Sequence, residues 1–167
     1  TAILDQKSED GKALTIANEK VLKAFGLQFG ASHTEFIKNK ENGQFYFLET
    51  ASRVGGAHIA EMVEFATNIN LWREWANIEH AKFYSKTYKL PKTDNNFAGI
   101  IISLINSQKP NMEAFNDPEV VWQMQEDYHL GLIVKSKKRE VILALLEKYA
   151  SNIYSLGYHA SAPSPDK

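Results

Sequence analysis

Cysteine is absent from the 167 residues. That excludes disulfides, thiolate metal sites and a cysteine nucleophile, although it assigns no compartment. Neither sign of charge is in excess: 19 basic and 20 acidic side chains leave a formal net charge of −1. A dedicated nucleic-acid binder would show a basic surplus, so that class is disfavoured. No run approaches the ~18 apolar residues of a membrane span, and no signal-peptide pattern opens the chain. Internal repeats of the solenoid type are missing. So is a Walker pattern, Gly-x4-Gly-Lys-Ser/Thr. An initiator methionine is missing too, since the first residue is Thr1. What remains is 44% hydrophobic and 23% charged, ordinary for a soluble globular protein. The length fits one domain, or one domain with an appended subdomain.

Apolar periodicity organises the chain. Leu14, Ala17, Val21, Ala24 and Phe25 form one helical stripe from about Lys12, and Gly26 sits where a C-terminal glycine cap belongs. Residues 31–37 and 44–49 read as two antiparallel strands around an Asn42-Gly43 turn. Strict alternation places His33 and Glu35 on one face of the first strand, and Phe45, Phe47 and Glu49 on one face of the second. A helix carrying Ile59, Met62, Val63 and Ala66 follows, then another capped by Asn70 and bearing Leu71, Trp75 and Ile78. The polar stretch 82–96 reads as a junction. After it, the apolar run 97–105 suggests a strand buried on both faces. Residues 106–118, with Pro110 and Pro118, read as loop. Short strands are expected at 120–124 and 131–134, and a helix at 137–154. Residues 160–167 are Ser/Pro-rich and are expected to be disordered. Strands and helices do not alternate as in a doubly wound sheet, so the expected class is α+β with mainly antiparallel pairing. The expected division is 1–90, then a small α+β subdomain at 91–160, then a tail at 161–167.

Chemistry concentrates in the hairpin and the loop after it. Glu35 and Glu49 are acids inside otherwise apolar strands, and carboxylates in such places are usually paired or bound to a cation. Two carboxylates on adjacent strands suit a hard divalent cation; Mg²⁺ is typically held by one or two of them plus phosphate oxygens. Arg53 would offer a planar cationic fork to a phosphate or carboxylate. Gly55-Gly56 allows close backbone approach to a ligand just before a helix N-terminus. The alternative stays open: rim glutamates and a surface Glu49–Arg53 pair worth under ~1 kcal/mol. His33 alone is more often a hydrogen-bonded structural residue than a catalyst.

Two stretches carry a resemblance. Phe25-Gly-Leu-Gln-Phe-Gly-Ala-Ser-His-Thr-Glu-Phe-Ile37 and Gly43-Gln-Phe-Tyr-Phe-Leu-Glu-Thr-Ala-Ser-Arg-Val-Gly-Gly56 resemble the C-terminal half of the ATP-grasp fold. That superfamily of ligases includes biotin carboxylase, D-alanine–D-alanine ligase and the L-amino-acid ligases. Phe65-Ala-Thr-Asn-Ile-Asn-Leu71 resembles the helix pair that follows in it. The resemblance implies that Glu35 and Glu49 are ligands of Mg²⁺ (or Mn²⁺) on the ATP phosphates. It implies that Arg53 is the arginine facing the reacting phosphate or acyl phosphate. His33, Ser52, Gly55 and Gly56 fall on the substrate side. Where the superfamily usually has a metal-binding Asn, this chain has Ala51, as in the branch with Glu-x-Ala-x-Arg-x-Gly-Gly; that puts a second fully coordinated Mg²⁺ in doubt.

The implied activity is that of an ATP-dependent carboxylate–amine ligase working through an acyl phosphate, in a cytoplasmic protein whose partners are ATP and a small carboxylate or amine, not nucleic acid or membrane. The superfamily's other jaw, with two lysines and a Gly-rich loop over the phosphates, has no counterpart here. The chain is therefore expected to be a fragment, with Thr1 as a boundary within a longer protein, inactive by itself. The rivals are a biotin carboxylase-like or purine-pathway enzyme of the same fold, and a non-catalytic binding or oligomerisation module. Trp72, Trp75 and Phe83 around the third helix are candidates for a packed interface, as in a homodimer, although a helix stripe of this kind is more often internal core. Trp122, His129 and Lys135 are weaker site candidates, with fold roles the simpler reading for Trp122.

Overall fold

A computed structural model describes residues 1–158. The elements in chain order are α1 (Glu9–Ala24), β1 (His33–Lys38), β2 (Phe45–Ala51), α2 (Ile59–Thr67), α3 (Leu71–Phe83), β3 (Phe97–Leu104), β4 (Val120–Gln123), β5 (His129–Ser136) and α4 (Arg139–Ser155). The architecture is α+β and every strand pair is antiparallel. Two compact units divide the chain: Leu4–Asp94, and residues 1–3 together with residue 95 onward. The tail at 161–167 lies outside the described residues.

In the unit Leu4–Asp94, α1 begins at Glu9, three residues before the start expected at about Lys12, because Ser8 caps it. The Ser8 hydroxyl accepts from the Gly11 amide at 3.1 Å, which satisfies one of the unpaired amides of the first turn. Gly11 is required by crowding, since a Cβ there would lie 2.5 Å from the Asp5 carbonyl oxygen and 2.7 Å from the Gln6 Cα. Asn70 caps α3 as its position predicts, accepting from the Arg73 amide at 2.9 Å.

Glu74, one turn into α3, is the buried charged side chain of this unit. It accepts from Arg73 Nε at 3.0 Å, from Asn77 at 3.3 Å and from the Tyr88 hydroxyl at 3.0 Å. The Arg73 bond holds its carboxyl below the ordinary value despite burial, while burial and the Glu74 bond push the Tyr88 phenol up. The Tyr88 bond ties the segment after α3 to the helix, and the three bonds together occupy this carboxylate structurally.

In the other unit, residues 1–3 run antiparallel to β3, with Ala2 opposite Gly99 and the Ile3 amide donating to the Ala98 carbonyl at 2.9 Å. The sheet order is β3-β5-β4, with α4 packed on β3 and β5. Leu130, Leu132, Val134, Ile142, Phe115 and Tyr149 fill the core. The expectation of a strand buried on both faces at 97–105 holds only for its first half. Ala98 to Ile100 are buried, whereas Ile102 and Leu104 are 37% and 55% exposed. The segment expected to be featureless loop at 106–118 contains a 3-10 turn, Glu113–Phe115, whose Phe115 is fully buried.

This turn is clasped to α4. Lys148 Nζ and the Tyr149 hydroxyl both donate to the Asp117 carboxylate. The Lys148 bond, then the Tyr149 bond, hold the Asp117 carboxyl below the ordinary range, while burial raises the Tyr149 phenol. A carboxyl depressed on folding contributes stability that is fully present above its unfolded value, about 3.9, and is lost as the pH falls through its lower folded value. Urea unfolding should therefore lose stability between pH 5 and pH 2. Asp117→Asn is expected to be destabilised at pH 7 and to show a shallower acid loss; an identical acid limb in the variant would contradict the clasp.

Candidate functional site

All the residues singled out above for phosphate and metal chemistry lie in the unit Leu4–Asp94. Their arrangement follows from the register of β1 on β2. His33 is opposite Ala51, Thr34 opposite Thr50 and Glu35 opposite Glu49. One step further the ladder shifts: Phe36 is opposite Phe47, Ile37 opposite Tyr46 and Lys38 opposite Phe45. Leu48 is thus an extra residue on β2 with no partner, a β-bulge.

The bulge corrects the expectation that Phe45, Phe47 and Glu49 share a face. Glu35 and Phe36 are consecutive in an unbroken strand, so they point to opposite faces; their partners Glu49 and Phe47 do likewise. One face carries Phe36 and Phe47, with ring centroids 6.1 Å apart edge to face, and Phe25 at the end of α1 lies 6.1 Å from Phe47. Lys38 on this face binds Asp10 of α1 at 2.7 Å. Thr34 and Thr50 join hydroxyls across it at 2.8 Å. The opposite face carries His33, Glu35, Ile37, Tyr46 and Glu49. It is open: the Glu35 side chain is 45% exposed, and Ile37, Tyr46, Leu48 and Glu49 are exposed.

Directly opposed side chains on one face have Cβ atoms roughly 4.5–5.5 Å apart, and like charges in such a pair are destabilising. Glu35 and Glu49 are such a pair. His33 lies beside this pair: its Nδ1 is 3.8 Å from Glu35 Oε1, and it bears charge only when protonated. The His33 ring packs on Gly55, where a Cβ would lie 3.2 Å from Cδ2 and crowd the ring. Ser52 and Arg53 are exposed in the loop after β2. Arg53 Nη1 donates to the Val54 carbonyl at 3.0 Å, and among the described residues no ion pair joins it to either glutamate. Gly55 is buried and Gly56 exposed beside the Arg53 guanidinium. The structure thus brings together His33, Glu35, Glu49 and Gly55. It leaves Ser52, Arg53 and Gly56 on the adjoining loop.

Among the described residues, no three His, Asp or Glu side chains gather into an all-protein metal cage. Two adjacent, outward-facing carboxylates fit a cation that keeps most of its shell in water or ligand oxygens, as Mg²⁺ does. Two features of the site had no sequence signal. One is the bulge. The other is the backbone entering α2, where Ala57 and His58 adopt left-handed conformations, φ 49° and 58°. Neither is glycine, and such conformations cost roughly 1–2 kcal/mol each; strain of this kind gathers near functional sites.

The other candidates lie outside this hairpin and loop. His129 Nδ1 is 2.8 Å from the Asp127 carbonyl. Trp122 in β4 and Lys135 in β5 are half-buried strand residues. Trp72 stacks on Trp75, centroids 6.1 Å apart, and Trp75 Nε1 donates to Glu79 at 3.2 Å. Trp72 and Phe83 remain 55% and 80% exposed.

Solved structures share this architecture. The L-amino acid ligase from Bacillus licheniformis superposes with a TM-score of 0.67 at 16% identity, covering 98% of this chain and 44% of its own. The phosphoribosylglycinamide synthetase from Anaerococcus prevotii gives a TM-score of 0.56 at 18% identity, covering 90% of this chain and 43% of its own. The fold is shared with part of each of these two ATP-grasp enzymes. At these identities the likeness concerns the fold, and the chain spans less than half the length of either neighbour. No family model and no curated protein matches the sequence. Among the described residues, no helix is long and apolar enough to cross a membrane.

Proposed function

We propose that the chain is the C-terminal portion of an ATP-dependent carboxylate–amine ligase, and that the jaw that grips ATP belongs to a part of the protein preceding it. One observation carries the reading: the register sets Glu35 directly opposite Glu49 on the face left open by α1. A like-charged pair with no permanently charged counter-ion paired to it among the described residues suits a cation. Mg-ATP would supply the phosphoryl group that activates a substrate carboxylate as an acyl phosphate. Within this chain, Glu35 and Glu49 would hold the cation and orient the phosphates. Arg53, in the loop after β2, would turn from the Val54 carbonyl to meet charge on the phosphate or acyl group. His33 and Ser52 border the same face, and Gly55-Gly56 would let a substrate carboxylate approach the backbone. Nothing in this scheme requires a covalent enzyme intermediate; positioning and electrostatics carry it.

On this reading the site is completed by a second, phosphate-binding jaw. Calorimetric titration of the isolated chain with Mg-ATP should therefore show binding weaker than micromolar, whereas micromolar affinity would contradict the one-jaw arrangement. Titration with Mn²⁺ alone, followed by the loss of its free-ion paramagnetic resonance signal, should reveal one weak site, and Glu35→Gln or Glu49→Gln should each weaken it by about tenfold or more. Unchanged Mn²⁺ binding in both variants would remove the metal assignment.

A further inference from the structure

We propose that the bulged residue Leu48 positions the carboxylate pair: its insertion into β2 sets the direction in which Glu49 faces Glu35. The inference rests on the two-carboxylate reading above and goes one step further, to what aims the pair.

Packing does not account for the extra residue. If Leu48 were deleted, Phe47 would directly precede Glu49, and the two would still fall opposite Phe36 and Glu35 in a plain ladder. The phenylalanines would remain on the face toward α1 and the glutamates on the open face. Leu48 itself is 53% exposed and contributes little to the core. What the insertion changes is local geometry. A bulge bends its strand and increases the right-handed twist at that point. The shift falls between Glu35 and Phe36 on one strand and between Phe47 and Glu49 on the other, so the distortion adjoins both carboxylates. A flat ladder would stand the two side chains parallel, whereas the bulged ladder changes the angle between their Cα–Cβ directions. A cation site is sensitive to that angle, because both carboxylates must present oxygens to one point.

Mn²⁺ titration of the full chain tests this, with melting temperature measured alongside. Deletion of Leu48 should weaken Mn²⁺ binding about tenfold or more, the range set by lost ligand orientation, with the melting temperature unchanged or raised. Leu48→Ala keeps the bulge and should bind within about twofold of wild type, as an exposed side chain outside the ligand set should. Leu48→Gly keeps the chain length while loosening the bulge backbone and should also weaken binding; it decides the question if the deletion does not fold. Wild-type affinity in the deletion or in Leu48→Gly would overturn the proposal, and so would an equal loss in Leu48→Ala. These outcomes differ from failure of the site itself, which would appear as wild-type Mn²⁺ binding in Glu35→Gln and Glu49→Gln.

Discussion

On the proposed ligase reading, replacing Glu49 by glutamine should lower ATP turnover in the complete protein by about a thousandfold or more, the scale of removing a group that stabilises charge on a transferring phosphoryl. The substitution keeps size and hydrogen-bonding capacity. It removes one negative charge from the pair on the open face, and its effect on the fold should be opposite to its effect on chemistry. Glu35 and Glu49 face each other across the strands with no structural cation between them. Neutralising one relieves a like-charge contact worth a few tenths of a kcal/mol to about 1 kcal/mol. Glu49→Gln should therefore melt at the same temperature as wild type or slightly above it. A residue needed for folding would lose stability and activity together, and a rim glutamate would lose neither. Steady-state ADP release, read beside thermal melting, separates the three cases. Wild-type-like ADP release would sink the assignment of Glu49 to the phosphate site.

The elements around that site were legible where local chemistry dictates structure. The stripe Leu14–Phe25 predicts α1, Asn70 marks the start of α3, and Asn42-Gly43 marks the hairpin turn, because each signal acts within one turn of chain. The candidate residues were legible for a related reason: an acid in an apolar strand is conspicuous. Their facing was only half legible. Alternation puts Phe47 and Glu49 together, and nothing in Phe-Leu-Glu says that Leu48 will bulge. That outcome comes from competition between two requirements, with Phe45 and Phe47 drawn to the α1 side and Glu49 to the open side. The junction of residues 1–3 with β3 is non-local pairing and leaves no periodicity in three residues. The left-handed backbone at Ala57 had no signal either, because alanine does not favour it.

Phe115 is where the reading of a segment as loop and its actual burial disagree most, and the disagreement has a large measurable consequence. A side chain in an exposed connection between strands tolerates truncation to within about 0.5 kcal/mol. Phe115 is instead fully buried among Leu130, Leu132, Val134 and Ile142, with its ring centroid 5.4 Å from that of Tyr149. The residues around it, Pro110 and the Asn116-Asp-Pro118 turn, are what suggested loop; one aromatic in such a stretch has no periodic neighbours to betray its burial. The 3-10 turn Glu113–Phe115 swings it inward, and the Asp117 bonds to Lys148 and Tyr149 hold the turn on α4. Phe115→Ala should then cost about 3–5 kcal/mol, the transfer term plus the cavity left behind. Urea unfolding would register this as a fall in midpoint at unchanged slope. Phe115→Leu, which refills most of the space, should recover more than half of the loss. A cost for Phe115→Ala below about 1 kcal/mol, the range of surface positions, would mean that the turn does not carry Phe115 into the core. The clasp at Asp117 would then have nothing to hold in place.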